Sequence, residues 1–312
     1  TRHIREGKGR AVSGLAMAIV LASAFLHAGW NFLLKKSWNK IAFTWCFLTA
    51  AIVLYLPVCL YFWPEQPISP LGWACIAGTG LFHFLYFWFM GGAYERGDLS
   101  LVYPLFRGSG PLLVPILAVI LLKEELAALG IAGIVLVVLG VYVLHLKSFR
   151  VESFVEPLVA LRGGASAWAL CAGVSIAGYS IVDKIGVSQV YPPVYLYIAV
   201  AICWVILTPY VMSRRRHEIF QEWRNNRTNI LVVGFLAIFT YIMILFALQL
   251  AKVSYVSAVR EVSIVLSAFL GVSRLGEKNA AQKLPGAVMI AVGVVFIRSE
   301  EHTSELQSQN AI

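Results

Sequence analysis

Two arginines pose the chemical question in this sequence. Arg107 and Arg260 each fall inside a long apolar run. A charge near the centre of a bilayer costs about 2.5–3.5 kcal/mol on insertion scales, so such a residue faces a cavity or a partner. A guanidinium offers forked donors that match a carboxylate, phosphate or phosphonate. Glu261 follows Arg260 directly; because helix neighbours point in different directions, Glu261 is expected to face another helix or to complete a three-charge cluster. Two roles stay open for the arginines. They line opposite walls of a central cavity as ligands, or they are structural, with one of them tied to Glu261 and to backbone carbonyls. His27, Trp30 and Asn31 stand at i, i+3 and i+4 and share a helix face; Tyr179, Ser180 and Asp183 form a second polar group, and Tyr103 joins the set on the run that carries Arg107. An aromatic ring with hydrogen-bonding neighbours suits the packing and orienting of a small amphipathic solute. Trp30 and Tyr179 fit ordinary interhelical packing or interface anchoring as well. The candidate solute-binding residues are therefore Arg107, Arg260, Glu261, Tyr103, His27, Trp30, Asn31 and Tyr179.

Other chemistries find less support. The six histidines, His3, His27, His83, His145, His217 and His302, are scattered, with neither an H-E-x-x-H pair nor a phosphate-cradling G-x-x-x-x-G-K-[ST] loop. The expectation is no catalysis, no cofactor and no metal. Cys46, Cys59, Cys75, Cys171 and Cys203 lie in apolar blocks without CxxC or CxxxC spacing and read as small packing residues. The net charge of +9 sits at the ends of apolar blocks, which is membrane-flanking charge and not a nucleic-acid footprint. Glu261, Asp183 and His27 are the groups able to change protonation. No acidic cluster resembles a cation cage, so proton exchange or unassisted facilitation is the expected energetics.

The elements that must position these residues follow from composition. Of 312 residues, 59% are apolar and 13% charged, far from the roughly 25% charged of soluble domains. Apolar runs of bilayer-spanning length cover approximately 11–34, 41–63, 71–94, 99–122, 127–146, 164–186, 191–213, 229–250, 253–274 and 281–297. The connections are short except for 147–163 and 214–228. Runs of this length span as helices, because a helix satisfies its own backbone. Pro104, Gly108, Gly110, Pro111 and Pro115 are expected to bend the fourth span beside Arg107. The run from Ala11 is too long for a signal-peptide core and reads as a retained span.

An internal repeat organises the ten spans. Ala28-Gly29-Trp30-Asn31 with Lys35 recurs as Ala177-Gly178-Tyr179-Ser180 with Lys184, offset by 149 residues. Arg107, Glu124, Gly133 and Gly140 recur as Arg260, Glu277, Gly286 and Gly293, offset by 153. Each half holds five spans, and an odd number sends the second half into the membrane from the opposite side. The fold class is an all-α polytopic membrane protein, ten transmembrane helices as two inverted five-helix repeats, 11–146 and 164–297. Inverted bundles around a shared site are the usual logic of secondary transporters. A membrane receptor or scaffold without flux is the alternative. Gly133, Gly140 and their mates are read as close helix contacts, Glu124 and Glu277 as acids at helix N-termini, and Lys35, Lys36 and Lys184 as snorkelling residues.

The segments Leu26 to Lys36 (LHAGWNFLLKK), Gly97 to Leu126 and Ala251 to Glu277 resemble the EamA-like family of the drug/metabolite transporter superfamily. The resemblance spans nearly all of residues 11–297. It implies a ten-helix permease of the plasma membrane, the inner membrane in a bacterium, moving small metabolites, often outward and often with protons. It also implies cytoplasmic termini. Lys and Arg counts conflict with that drawing, with about eight on the side of the termini and about fifteen on the other, including Arg214-Arg215-Arg216, Arg224 and Arg227. Orientation therefore stays open, as does the choice of monomer or homodimer. The run Arg298 to Ser308, RSEEHTSELQS, is the translation of a string resembling a short-read sequencing adapter, so 298–312 is set aside as an artefact.

Overall fold

The computed structural model describes residues 14–97, 99–144, 146, 164–275 and 280–309, and every regular element among them is a helix. In chain order these are α1 (Gly14–Lys35), α2 (Lys40–Tyr61), α3 (Pro70–Arg96), α4 (Leu99–Leu121), α5 (Ala128–Leu144), α6 (Gly164–Gly186), α7 (Pro192–Arg214), α8 (Arg216–Leu250), α9 (Val253–Arg260), α10 (Val262–Leu275) and α11 (Ala280–Gln309). Helices α9 and α10 are the two parts of one span, which leaves ten. Among the described residues, six helices are long and apolar enough by composition to cross a bilayer, and Leu105–Leu121 and Ala128–Leu144 are shorter apolar helices.

Local signals set the starts of these helices. Asn39 caps α2, its side chain accepting from the Ala42 N–H at 2.9 Å, and Ser69 caps α3 in the same way through the Gly72 N–H at 3.0 Å, with Pro70 in the first turn. Helix α4 stops where Lys123 takes φ 56°, the left-handed conformation that ends helices.

The packing obeys the repeat. Helix α3 packs on α6 as α8 packs on α1; α3 packs on α7 as α8 packs on α2; and α4 packs on α6 as α10 packs on α1. Each pairing joins one half to the other. The glycine matches show the direction. A Cβ on Gly133 would stand 2.6 Å from the Gly293 carbonyl, and one on Gly140 would stand 2.8 Å from the Gly286 carbonyl. Residue numbers rise along α5 while they fall along α11, so the repeat mates run antiparallel at backbone contact, as glycine alone permits. A second reciprocal contact joins α2 and α7. The Trp45 indole N–H donates to the Thr208 hydroxyl at 3.0 Å and the Trp204 indole N–H to the Thr49 hydroxyl at 2.8 Å, while the two indoles stack at 6.0 Å. The two halves are thus inverted repeats related by a pseudo-two-fold.

Three expectations change. The connection 214–228 is helical: α8 begins at Arg216 and bends at Asn226 (φ −126°, ψ 17°) before the expected span starts. Its Glu222 is buried and accepts from the Asn39 N–H at 2.7 Å and the Asn226 amide at 2.8 Å, which holds the segment against the start of α2. Helix α4 runs unbroken through Pro104, Pro111 and Pro115, and it is the proline-free mate span that is interrupted, at Glu261. Lys184 does not snorkel; its ammonium donates to the Leu248 carbonyl at 2.5 Å and the Ala251 carbonyl at 2.8 Å, closing the C-terminus of α8. Among the sequence readings, the N-terminal basic tail, the connection 147–163, Glu277 and the side chains of Lys35 and Tyr103 lie outside the described residues.

Candidate functional site

The start of α9 is pinned from the other half. Glu124, in the connection after α4, accepts from the Val253 N–H at 2.8 Å, the Ser254 N–H at 3.3 Å and the Ser254 hydroxyl at 2.6 Å. An acid was expected near the N-terminus of α5; it instead caps α9, where a carboxylate meets unpaired N–H groups and the positive end of the helix dipole. Two turns later α9 ends at Arg260, and α10 starts at Val262. Glu261 keeps right-handed helical angles at the junction (φ −69°, ψ −10°) and its N–H reaches the Ala258 carbonyl at 3.1 Å, so the span is tightened by one turn there, with Arg260 and Glu261 side by side.

The two arginines have different surroundings. Arg107 Nη2 lies 3.2 Å from Glu261 Oε2 and donates to the Ser263 hydroxyl at 3.3 Å, with side-chain exposures of 12% and 8% across the ion pair. The pair crosses between halves, from α4 to the α9–α10 junction. Arg260 stands with its guanidinium 5.4 Å from the centre of the Tyr241 ring. Among the described residues it has no carboxylate within ion-pair distance.

Tyr241 connects Arg260 to a buried carboxylate. From α8 its hydroxyl donates to Asp183 Oδ2 at 2.5 Å. Asp183, on α6, is 0% exposed, and its other oxygen accepts from Thr79 on α3 at 2.5 Å and from Tyr195 on α7 at 3.0 Å. The Thr79 and Tyr195 hydroxyls are themselves 2.6 Å apart. One carboxyl group thus joins four spans from both halves, its two oxygens met by hydroxyls as a buried polar group requires.

Aromatic rings fill the space between. His83 stacks on Tyr179 at 4.3 Å and meets Tyr241 edge-on at 5.2 Å, and Tyr179 lies 6.3 Å from Tyr86 and 6.0 Å from Tyr241. His83 Nδ1 is 2.9 Å from the Thr79 carbonyl, an acceptor only, so Nδ1 carries the proton.

Of the sequence candidates, Arg107 and Glu261 are thus brought together as an ion pair, and Arg260 and Tyr179 meet on the ring of Tyr241. His27 and Trp30 do share a face, edge to face at 4.7 Å, with Trp30 also 6.5 Å from Phe47 of α2. Asn31 turns its amide back to the His27 carbonyl at 2.9 Å and is occupied within its own helix. Tyr103 lies on α4, with its side chain outside the description. Sequence reading missed Thr79, His83, Tyr195 and Tyr241. Thr79 and His83, four residues apart in an apolar span, carry the one available signal, since polar side chains at membrane depth are retained for a purpose; Tyr195 and Tyr241 look like any interfacial tyrosine. Among the described residues no group of three or more His, Cys, Asp or Glu is placed to hold a metal ion.

The EamA-like transporter family matches this chain twice, over residues 14–146 and 164–299. The chain belongs to that family. This EamA-like protein is accordingly an integral membrane transporter of the drug/metabolite transporter superfamily, whose members are transporters and not enzymes. A crystal structure at 16% sequence identity superposes with a TM-score of 0.69, covering 93% of this chain and 98% of that one, and agrees in fold. No curated protein matches the chain.

Proposed function

We propose that this EamA-like protein is a secondary transporter that moves a small organic solute with an anionic group across the plasma membrane by alternating access, with Arg260 as the anion's ligand. The observation that carries the reading is the contrast between the arginines: Arg107 is paired with Glu261, whereas Arg260, at the junction of α9 and α10, has no carboxylate within ion-pair distance among the described residues and lies 5.4 Å from the centre of the Tyr241 ring. A cation on an aromatic face keeps its forked N–H groups for a planar anion. The rings of Tyr179, Tyr86 and His83 supply surfaces for the apolar part of an amino acid or organic acid. The inverted halves supply the two-sided access. Protons are the coupling ion and export the direction in this reading, with Asp183, Glu261 and His27 as the groups that change charge.

The test is flux in reconstituted vesicles, using substrates taken from a metabolite thermal-shift panel. Arg260→Ala should lower flux of an anionic hit by roughly tenfold or more, the loss of one charged contact worth about 1.4 kcal/mol, while the purified variant stays monodisperse. Unchanged flux of every hit in Arg260→Ala would remove the proposed ligand.

A further inference from the structure

The segment that links α7 to the spanning part of α8 has two unlike faces. Its inner face is occupied. Glu222 is 2% exposed and bonded to Asn39 and Asn226, while Arg215 is paired with Glu95 at the end of α3 at 2.6 Å and lies 3.5 Å from Glu218. The outer face is basic and aromatic. Phe220 is 66% and Trp223 48% exposed, and Arg214, Arg216, Arg224 and Arg227 are all exposed without an acidic partner among the described residues.

Spacing puts these groups together. Arg216 and Arg224 stand four residues on either side of Phe220 and Trp223 stands three after it, so these four share one helix surface, flanked by Arg214 at the end of α7 and by Arg227 just past the bend at Asn226. Trp38, next to the Asn39 that Glu222 holds, is 76% exposed at the same end of the bundle. Exposed aromatic rings leave apolar area against water, whereas at headgroup depth the ring body meets acyl chains and the polar edge meets water. Guanidinium groups around them match phosphate in geometry as well as charge.

We infer that the outer face of residues 214–227 is a binding site for anionic phospholipid, with the four unpaired arginines on the headgroup phosphate and Phe220 and Trp223 inserted at the acyl boundary. This site is separate from Arg260 and does not depend on what solute is carried. It lies on the side richer in Lys and Arg, the side that the positive-inside rule assigns to the cytoplasm. Through Glu222 and Arg215, it touches the start of α2 and the end of α3.

The full chain is purified in a neutral detergent and titrated with phosphatidylglycerol, phosphatidylcholine or inorganic phosphate, and retained lipid is counted by native mass spectrometry. Phosphatidylglycerol should be retained at least about tenfold better than phosphatidylcholine, less so at high salt because exposed charges are screened. The combined variant Arg214→Gln, Arg216→Gln, Arg224→Gln and Arg227→Gln should lose that preference, and Lys123→Gln, on the other side, should keep it. Brominated phosphatidylglycerol should quench Trp223, read as the difference between the parent chain and Trp223→Phe; this readout needs no charge variant and covers the case in which the combined variant does not fold. Equal retention of the two lipids, an unchanged preference in the combined variant, no Trp223 quenching, or full displacement of phosphatidylglycerol by inorganic phosphate at equal concentration would each overturn the assignment.

Discussion

At the scale of single residues, the difference between Arg107 and Arg260 is a matter of partners, and partners make it measurable. Removing one member of a buried ion pair leaves the other charged and desolvated, which in soluble proteins costs about 3–5 kcal/mol. Arg107→Ala should therefore lower the thermal unfolding temperature strongly, because Glu261 is left without its guanidinium. Adding Glu261→Gln should recover part of that loss, since the orphaned charge is gone and the two effects are coupled. Arg260→Ala, which strips no carboxylate of a partner, should unfold close to the parent temperature. A thermal shift in Arg260→Ala as large as in Arg107→Ala would mean that both arginines are structural. The sequence singled out both arginines through the expense of charge at membrane depth, yet it had no means of telling them apart. Glu261 follows Arg260 in the chain but pairs with Arg107, 154 positions away in the sequence, because consecutive residues of a helix diverge in direction and only packing of α4 against the α9–α10 junction brings the acid to its partner.

At the scale of elements, the short helix α9 depends on an acid from the opposite half. Glu124 serves two N–H groups and a hydroxyl at its first turn. Loss of a side-chain cap costs roughly 0.5–2 kcal/mol. Glu124→Ala should show a drop of that order in denaturant unfolding. In hydrogen exchange, the Val253 and Ser254 amides should exchange faster while amides in the middle of α3 do not change. If those two amides kept their protection, the cap would contribute nothing to α9. The bend at Asn226 and the break at Glu261 were both illegible beforehand for one reason: neither carries the proline or glycine signal that marks interruptions locally. Pro104, Pro111 and Pro115 carried the signal and yet lie in an unbroken helix, since neighbouring spans can support a helix that has lost single backbone bonds.

At the scale of the whole molecule, the antiparallel seam of α5 and α11 ties the halves together through reciprocal glycines. A Cβ on Gly286 would stand 2.5 Å from the Leu144 nitrogen and 2.7 Å from the Gly140 carbonyl, whereas one on Gly29 would meet nothing within 4 Å. Gly140→Ala and Gly286→Ala should each lower thermal stability, and the double variant should lose less than the sum, because one separation of the helices relieves both clashes. Gly29→Ala should be neutral or slightly stabilising, as alanine is the better helix former by about 1 kcal/mol. Additive losses in the double variant would separate the two contacts and count against a shared seam.

Bilayer-crossing helices, their number and the inverted repeat were all present in the amino-acid order, because hydrophobic length and repeated spacing are properties of a one-dimensional string and the membrane permits few ways of satisfying a backbone. The repeat also marked Gly133, Gly140, Gly286 and Gly293 as glycines of close helix contact, while their pairing came from the fold. What required the folded chain was the choice among partners. Asp183 gathers Thr79, Tyr195 and Tyr241 from three other spans, Glu124 reaches the start of α9, and Arg260 is left on an aromatic face while Arg107 is neutralised. Such pairings depend on which face each helix turns inward and on the depth at which neighbours cross, and uniformly apolar spans write neither quantity into their local pattern.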